Sequence, residues 1–220
     1  MEGITMDNLE NNKMNEKTEK EKTNNKPVKH GIVDEMLDWA ESFVFAGFVV
    51  LLVFIFLFRT VVVEGGSMNP TLYNSQRLIL DHFNYEPARG DIIVANSPGL
   101  NKTIIKRCIG VAGDNVVVDY NDNTVTVNGE VLDESYLGEP MQEVGRFDED
   151  HMIAFGTYSY VVPDGTIFAM GDNRNASRDS RYEEVGFIST EDVLGKAVFR
   201  FYIGTDGNGN KNPGKIGFLK

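Results

Sequence analysis

Ser67 lies in the stretch GGSMNPTL, residues 65 to 72, in which two glycines precede the serine and a proline follows it. A serine in such a stretch is most often only a turn residue, but it acts as a nucleophile where a base can take its proton. The chain has 3 histidines, and none of them is near Ser67 in sequence. If Ser67 is a nucleophile, its base is therefore expected to be another kind of residue.

Lys106 lies in the apolar stretch TIIKRCIGV, residues 103 to 111. In a strand the side chains alternate between two faces, so Ile104, Lys106 and Cys108 are predicted to share one face. A lysine ordinarily keeps its proton up to a pH of about 10.4, but burial disfavours the ammonium form and lowers the pKa. A buried Lys106 would then be a general base, whereas most lysines in strands are solvated or protect a sheet edge.

The segment MGDNRNASRDSRYEEVG, residues 170 to 186, concentrates polar side chains after a predicted strand. Its aspartates and arginines are expected to form bidentate ion pairs that make the loop rigid: Asp172, Asp179, Arg174 and Arg181. Ser177 and Ser180 add hydroxyls that could hold a neighbouring ammonium in line. The spacing does not fit an EF-hand calcium loop, and a purely structural polar loop is the alternative.

An apolar run, FVFAGFVVLLVFIFLF, covers residues 43 to 58 without a charged residue, and RTVVV extends it to Val63. A helix needs about 20 apolar residues to cross a bilayer, whereas a buried helix of a soluble protein should show a polar stripe. We therefore predict an amphipathic approach and a transmembrane helix over residues 33–63, with its core at 43–58.

The residues around this span predict its orientation. Residues 1–32 are rich in Lys, Glu and Asn, which predicts a disordered tail. Lys26 and Lys29 lie close to the span, so the positive-inside rule favours a cytoplasmic tail, although Arg59 lies on the other side. Residues 64–220 are then expected outside the cytoplasm.

The remainder of the chain predicts a mainly β, antiparallel domain. Short runs rich in Val, Ile, Phe and Tyr alternate with turn signals at residues 77–83, 91–97, 103–111, 115–120, 124–129, 158–163, 166–170 and 195–202. Asn128-Gly129 predicts a hairpin turn, STEDVLG a single capped turn, and residues 133–157 an inserted loop. A two-sheet sandwich and a barrel both fit this pattern.

The composition narrows the classes of function. A formal net charge of −12 argues against nucleic-acid binding. The single cysteine, Cys108, excludes an internal disulfide and a multi-cysteine zinc site, and we expect it to be a buried, inert side chain.

Together and in this order, the three stretches resemble the motifs of bacterial type I signal peptidases, which are membrane-bound Ser/Lys proteases. GGSMNPTL is similar to the nucleophile motif, and RGDIIV (89–94) to the next one. IKRCIGVAGD (105–114) is similar to the motif of the catalytic lysine, and GDNRNASRDSRYEEVGFI (171–188) to the last motif. The resemblance covers residues 40 to 202, and the single span is similar to that of Gram-positive members.

The resemblance implies roles for individual residues. Ser67 would be the nucleophile, Lys106 the general base, and Met68 a substrate-binding residue. The supporting residues would be Ser177, which orients the lysine, and Asp179, Arg181, Asp172 and Arg174. Some members carry a hydroxyl donor two places before the nucleophile, where this chain has Gly65. The oxyanion would then rely on the Ser67 backbone N–H and another local donor, with Gly65 and Gly66 allowing close approach.

The implied activity is the removal of signal peptides from secretory preproteins, after small residues in an A-x-A-like pattern, at the outer surface of the cell membrane. The expected partners are preproteins and the lipid bilayer, near the export channel, and this chemistry requires neither a metal nor a cofactor. Two alternatives are another Ser/Lys protease, such as a self-cleaving repressor, and a non-enzymatic tethered β module or degenerate peptidase homologue. The apolar span and the acidic tail oppose the first. The second is opposed by the presence of both Ser67 and Lys106, since a degenerate member would often have lost one of them.

Overall fold

The computed structural model describes residues 31–57, 59–142, 149–206 and 208–219. These residues divide between Leu51 and Leu52 into two compact units, which we describe separately. Residues 1–30 lie outside the described residues, and so does nearly all of the predicted disordered tail.

Helix α1 spans Ile32–Leu57 and contains most of the apolar run. Its exposed side chains include Trp39, Phe43 and Phe48. Within the described ranges, no helix is long and apolar enough to cross a membrane. The transmembrane span therefore stays a prediction.

The predicted helical boundary at residue 63 is wrong. Residues Arg59–Val62 form strand β1, which pairs antiparallel with β2, Arg77–Asp81. The β-branched run from Thr60 to Val63 favours an extended backbone. Val63 is also buried in an apolar cluster, so packing against the sheet also favours an extended strand over a helix at these residues.

The second unit is built from antiparallel strands in two sheets, which confirms the predicted mainly β fold. Besides β1 and β2, its strands are β3 Ile92–Ser97, β4 Lys102–Val111, β5 Asn115–Asp119, β6 Thr124–Val127, β7 Glu130–Val131, β8 Met152–Ala154, β9 Thr157–Val161, β10 Thr166–Met170, β11 Ile188–Ser189, β12 Val193–Tyr202 and β13 Gly217–Phe218. The larger sheet has the order β1-β2-β12-β3-β4-β10-β11, with β13 beside β12, and the smaller has the order β7-β6-β5-β9-β8.

Residues 133–157 do not form one irregular loop as predicted. The segment includes β8, Met152–Ala154, which pairs with β9 from Thr157 onward. Residues 143–148 lie outside the described part. Strands of two or three residues, such as β7, β8, β11 and β13, are too short to show a side-chain period in sequence. The predicted turn in STEDVLG is confirmed as a 3₁₀ turn at Thr190–Asp192, capped by Ser189.

Strand β4 runs through the core and carries Lys106 in its middle. Ile104 and Cys108 pack in one apolar cluster and Ile105 in another, as the predicted alternation requires. Residues 104 to 110 of this strand are all buried, because β3 pairs along residues 102–107, β10 pairs from Arg107 onward, and apolar clusters cover both faces. The fold thus holds a lysine at a position where water has little access.

The predicted hairpin at Asn128-Gly129 is confirmed. Both residues have positive φ, 54° and 85°, as a type I′ turn requires. The Asn128 amide also donates to Asp114 (3.0 Å) and accepts from the Asn115 backbone N–H (2.9 Å). The turn between β6 and β7 is therefore tied to the start of β5.

Asn128→Ala should lower the free energy of unfolding by about 2 to 3 kcal/mol, because alanine is disfavoured at positive φ and two hydrogen bonds are lost. Asn123→Ala is the matched control, because Asn123 also has a positive φ of 56° but its side chain makes no hydrogen bond with the described residues. Its expected cost is about 1 kcal/mol. Denaturant unfolding of the detergent-solubilised chain, followed by circular dichroism, measures both values. Equal costs would mean that the side-chain bonds of Asn128 contribute nothing.

Candidate active site

Ser67 and Lys106, which are 39 residues apart, meet in the structure. The Nζ atom of Lys106 lies 2.9 Å from the Oγ atom of Ser67 and donates a hydrogen bond to it. It also donates to the carbonyl oxygen of Ile105 at 3.1 Å. The contact places a base within proton-transfer distance of the serine hydroxyl.

The surroundings of Lys106 favour its neutral form. Only 3% of the residue is exposed, and this burial lowers its pKa from 10.5 to about 8. The carboxylate of Asp179 opposes the shift, and the charges of Lys102 and Arg181 reinforce it. Near neutral pH the side chain can therefore both accept a proton and return it.

The loop that carries Ser67 is fastened to the segment after β10. The backbone N–H of Asn173 donates to the Ser67 carbonyl at 3.0 Å, and the Asn173 side chain donates to the Gly66 carbonyl at 3.1 Å. A Cβ atom on Gly171 would lie 2.5 Å from the Ser67 carbonyl oxygen and 2.2 Å from the Ser177 hydroxyl. Only glycine permits this close approach of the two segments.

The backbone around Ser67 suits an oxyanion site. The Ser67 N–H makes no hydrogen bond with the residues the structure describes, so it can serve an incoming oxygen. Gly65 has φ of +81°, a conformation that residues with a side chain rarely adopt. Met68 is 1% exposed and anchors the loop in the apolar cluster of Leu72 and Leu78.

Of the ion pairs predicted within residues 170–186, only Asp179–Arg181 forms there. The Arg181 guanidinium binds both Asp179 oxygens, at 2.8 and 3.0 Å. Burial would raise the pKa of Asp179, but Arg181 outweighs it and holds that pKa below its usual value. The prediction was wrong for the other two residues, because Asp172 pairs with Arg107 and Arg174 pairs with Glu134.

Asp172 links three segments around the site. It receives two hydrogen bonds from the Arg107 guanidinium, at 2.9 and 2.8 Å, and one from the Thr71 hydroxyl. Arg107 follows the candidate base, and Thr71 is four residues beyond the candidate nucleophile. One buried carboxylate therefore fixes both candidate residues relative to the segment after β10.

Ser177 is buried beside these residues, and its hydroxyl makes no hydrogen bond with the described residues. The hydrogen bonds of Lys106 in the structure go to Ser67 and Ile105. The orienting role of Ser177 thus stays a prediction. Its position against Gly171, which also contacts the Ser67 backbone, keeps it in the immediate surroundings of the site.

A groove of about 520 Å³ opens over Ser67 and Lys106. Strand β1 borders it on one side, and its pairing within the described strands is with β2 alone. On the other side lie residues 102–106 of β4, whose pairing with β10 starts only at Arg107. The groove is lined by residues 60–65, Ser67, Met68 and residues 102–106. Two strand edges that have no partner among the described strands therefore face the candidate residues.

The family described as signal peptidase, peptidase S26, matches residues 36–202 of the chain. The chain belongs to this family. It is similar to signal peptidase I T of Bacillus subtilis, at 36% identity over 196 residues, which are 88% of this chain and 94% of that protein. Signal peptidase I of Bacillus licheniformis is 35% identical over 188 residues, 84% of this chain and 95% of that protein.

Signal peptidase IB of Staphylococcus aureus is 31% identical over 188 residues, which are 81% of this chain and 96% of that protein. A solved structure of a signal peptidase I from Enterococcus faecalis V583 shares 33% identity, covers 51% of this chain and 97% of that chain, and has a TM-score of 0.40. The resemblance read from the motifs is confirmed. This signal peptidase is a serine endopeptidase of type I, and signal-peptide removal is its function.

Sequence reasoning missed several residues that position the site of this signal peptidase. Arg107 and Thr71 lie inside the quoted motifs, but nothing in the sequence indicates that both bind Asp172. Asn173 lies inside the polar segment 170–186, and its amide, which can both donate and accept hydrogen bonds, is the sequence signal for a residue that fastens a neighbouring loop. No group of three or more His, Cys, Asp and Glu side chains within the described ranges is placed to hold a metal ion.

Asp172→Asn should lower the free energy of unfolding by about 3 to 5 kcal/mol, because the buried Arg107 would keep its charge without a partner. Glu184→Gln is the matched control, since its partner Arg178 is 62% exposed and Glu184 itself 53% exposed. Surface pairs of this kind contribute about 1 kcal/mol or less. Denaturant unfolding compares the two variants. A cost for Asp172→Asn no larger than that of the control would contradict the structural role of this pair.

Proposed function

We propose that this signal peptidase cleaves preproteins by Ser/Lys acyl-enzyme chemistry, with Ser67 as the nucleophile and Lys106 as the general base. The observation that carries the proposal is the 2.9 Å contact between the Ser67 hydroxyl and the Lys106 amine. A nucleophile with a base in hydrogen-bond reach, where burial has lowered the pKa of the base, is what such catalysis requires.

In the first step, neutral Lys106 accepts the hydroxyl proton while the Ser67 Oγ atom attacks the carbonyl carbon of the scissile bond. The tetrahedral intermediate collapses, and the resulting ammonium gives its proton to the leaving amine. An ester between Ser67 and the signal peptide remains. Lys106 then takes a proton from water, which attacks the ester carbonyl. As the second tetrahedral intermediate collapses, the ammonium returns this proton to the Ser67 oxygen, which releases the signal peptide with a carboxyl terminus and restores Ser67 and neutral Lys106.

The N–H of Ser67, which has no acceptor among the described residues, stabilises the negative oxygen of the tetrahedral intermediate. Gly65 brings no side-chain donor, so the backbone conformation at Gly65 and Gly66 decides how that N–H is directed. A donor that is already oriented needs no reorganisation during the reaction, which makes its contribution to the rate large.

The groove suits an extended peptide. Strand edges bind extended chains through main-chain hydrogen bonds, and alternate side chains of the peptide enter pockets. The edges of β1 and residues 102–106 of β4 both face the groove, so a preprotein segment would lie between them. The proposed preference is for small residues in an A-x-A-like pattern, which need only shallow apolar pockets.

The proposed location follows from the same substrate. A signal peptide presents its small residues just beyond its own apolar segment, and Ser67 likewise follows closely after the apolar run that ends at Phe58. We place the N-terminus in the cytoplasm and a single span in the cell membrane. Because Arg59–Val62 belong to the sheet, residues 59–220 would lie outside, near the export channel.

Ser67→Ala and Lys106→Ala should each reduce kcat/KM by more than about 1000-fold, because the nucleophile and the base act as a unit. The assay is cleavage of a preprotein with an A-x-A site by the detergent-solubilised full chain. Ser189→Ala is the control, as its hydroxyl only caps the turn at Thr190–Asp192. A Lys106→Ala variant with the wild-type rate would overturn the assignment of the base.

The pH dependence tests the state of the base. Because Lys106 must be neutral and its pKa is about 8, kcat/KM should rise about tenfold per pH unit below that value and level off above it. Initial rates between pH 6 and 10 measure the profile. A rise that continues to a pH near 10.4, the ordinary lysine value, would contradict the burial argument.

A further inference from the structure

The loop that carries Ser67 is closed at its base by two backbone hydrogen bonds. Ser75 N–H donates to the Val63 carbonyl, and Val63 N–H donates to the Gln76 carbonyl, both at 2.8 Å. These bonds continue the pairing of β1 with β2 by one step. Above this base, the backbone passes through Gly65 and Gly66 before it reaches Ser67.

A side chain controls the first of these glycines. The Gly65 N–H donates to the Oδ1 atom of Asn74 at 2.9 Å. A pair of glycines has more conformational freedom than any other dipeptide, and the peptide that contains the Ser67 N–H follows immediately. The hydrogen bond to Asn74 therefore restricts the backbone at the point that sets the direction of this N–H.

Asn74 is itself held by the C-terminal part of the chain. The Asn212 side chain donates to the Asn74 carbonyl at 2.6 Å. Next to it, the Gln76 side chain donates to the Pro213 carbonyl at 2.9 Å. Gly204 lies against the same turn, since a Cβ atom there would be 2.7 Å from the Ser75 carbonyl oxygen.

The residues that make these contacts with the Ser67 loop lie beyond the family match. The family match ends at residue 202, and Gly204, Asn212 and Pro213 all lie beyond it. Asn212 is only 8% exposed, although most of its neighbours between residues 205 and 216 are exposed. Buried polar side chains are normally hydrogen-bonded, and the buried Asn212 amide uses its N–H to bind the loop that carries Ser67. This contact therefore attaches the C-terminal segment to the loop.

We propose that Asn74 is a positioning residue for the oxyanion-binding N–H of Ser67, and that the described part of the C-terminal segment, residues 203–206 and 208–215, holds Asn74 in place. The inference rests on the proposed acyl-enzyme mechanism and adds to it the element that orients the oxyanion donor. Within the described residues, the hydrogen bonds of Asn74 join it to Gly65, Ser75 and Asn212 and not to Lys106, so it would act through Gly65 on the direction of the N–H.

The role predicts a specific kinetic signature. Asn74→Ala removes the acceptor for the Gly65 N–H and should lower kcat by about 10- to 100-fold, because a displacement of about 1 Å at a reacting group can cost about 100-fold. KM and the pH midpoint of the profile should change little, since Asn74 is not among the residues that line the groove and Lys106 is not altered. Asn74→Asp keeps the acceptor oxygen and should restore most of kcat.

A double-mutant cycle tests the part played by the C-terminal segment. Asn212→Ala should lower kcat in the same direction as Asn74→Ala. The double variant should be no slower than Asn74→Ala alone, because Asn212 acts through Asn74. Asn210→Ala is the matched control in the same segment, as its side chain bonds only to Asp206 within the described residues, and it should keep the wild-type kcat.

The experiment is preprotein cleavage by the detergent-solubilised full chain, with kcat and KM determined for each variant and the melting temperature measured alongside. Loss of kcat in Asn74→Ala with recovery in Asn74→Asp supports the proposal. An unchanged kcat in Asn74→Ala overturns it, and so does an equal loss in both variants that follows a lowered melting temperature. Full activity in Ser67→Ala would instead overturn the proposed mechanism, which separates the two failures.

Discussion

Lys106 can accept a proton from Ser67 near neutral pH only if the lysine is kept out of water, because burial lowers its pKa. An exposed lysine would hold its proton at neutral pH and could only donate to the serine. The middle of β4, covered on both sides by apolar clusters, makes the ammonium costly and brings the pKa to about 8. The segments around β4 hold this buried amine 2.9 Å from the Ser67 hydroxyl.

Charge balance around the amine is as necessary as burial. Asp179 is buried and its negative charge favours the protonated lysine. Arg181 binds both of its oxygens, so much of that charge is neutralised within the pair. Arg107 and Asp172 form a second buried pair on the neighbouring position of β4. Pairs of this kind contribute little net stability, but they fix the geometry of the segments they join.

The loop that carries Ser67 is likewise held in place by contacts with distant segments. It is fastened by Asn173 on one side and by the C-terminal segment on the other, while Met68 anchors it in the core. Between these attachments the loop borders a groove with two strand edges that lack a partner within the described part of the sheet. A fixed Ser67 loop beside these strand edges suits the proposed role of Ser67 as the nucleophile for an extended peptide.

The sequence by itself determined the antiparallel β fold, the hairpin at Asn128-Gly129 and the pair of candidate residues, because side-chain alternation, turn residues and ordered motifs are local signals. It also determined the family, through four motifs in order. Only the tertiary structure decided that Asp172 pairs with Arg107 rather than with Arg174, that residues 59–62 join the sheet, and that Asn74 and Asn212 support the Ser67 loop. These contacts join segments far apart in the chain, and which distant partner a charged or amide group meets is decided by the packing of the strands and not by its neighbours in sequence.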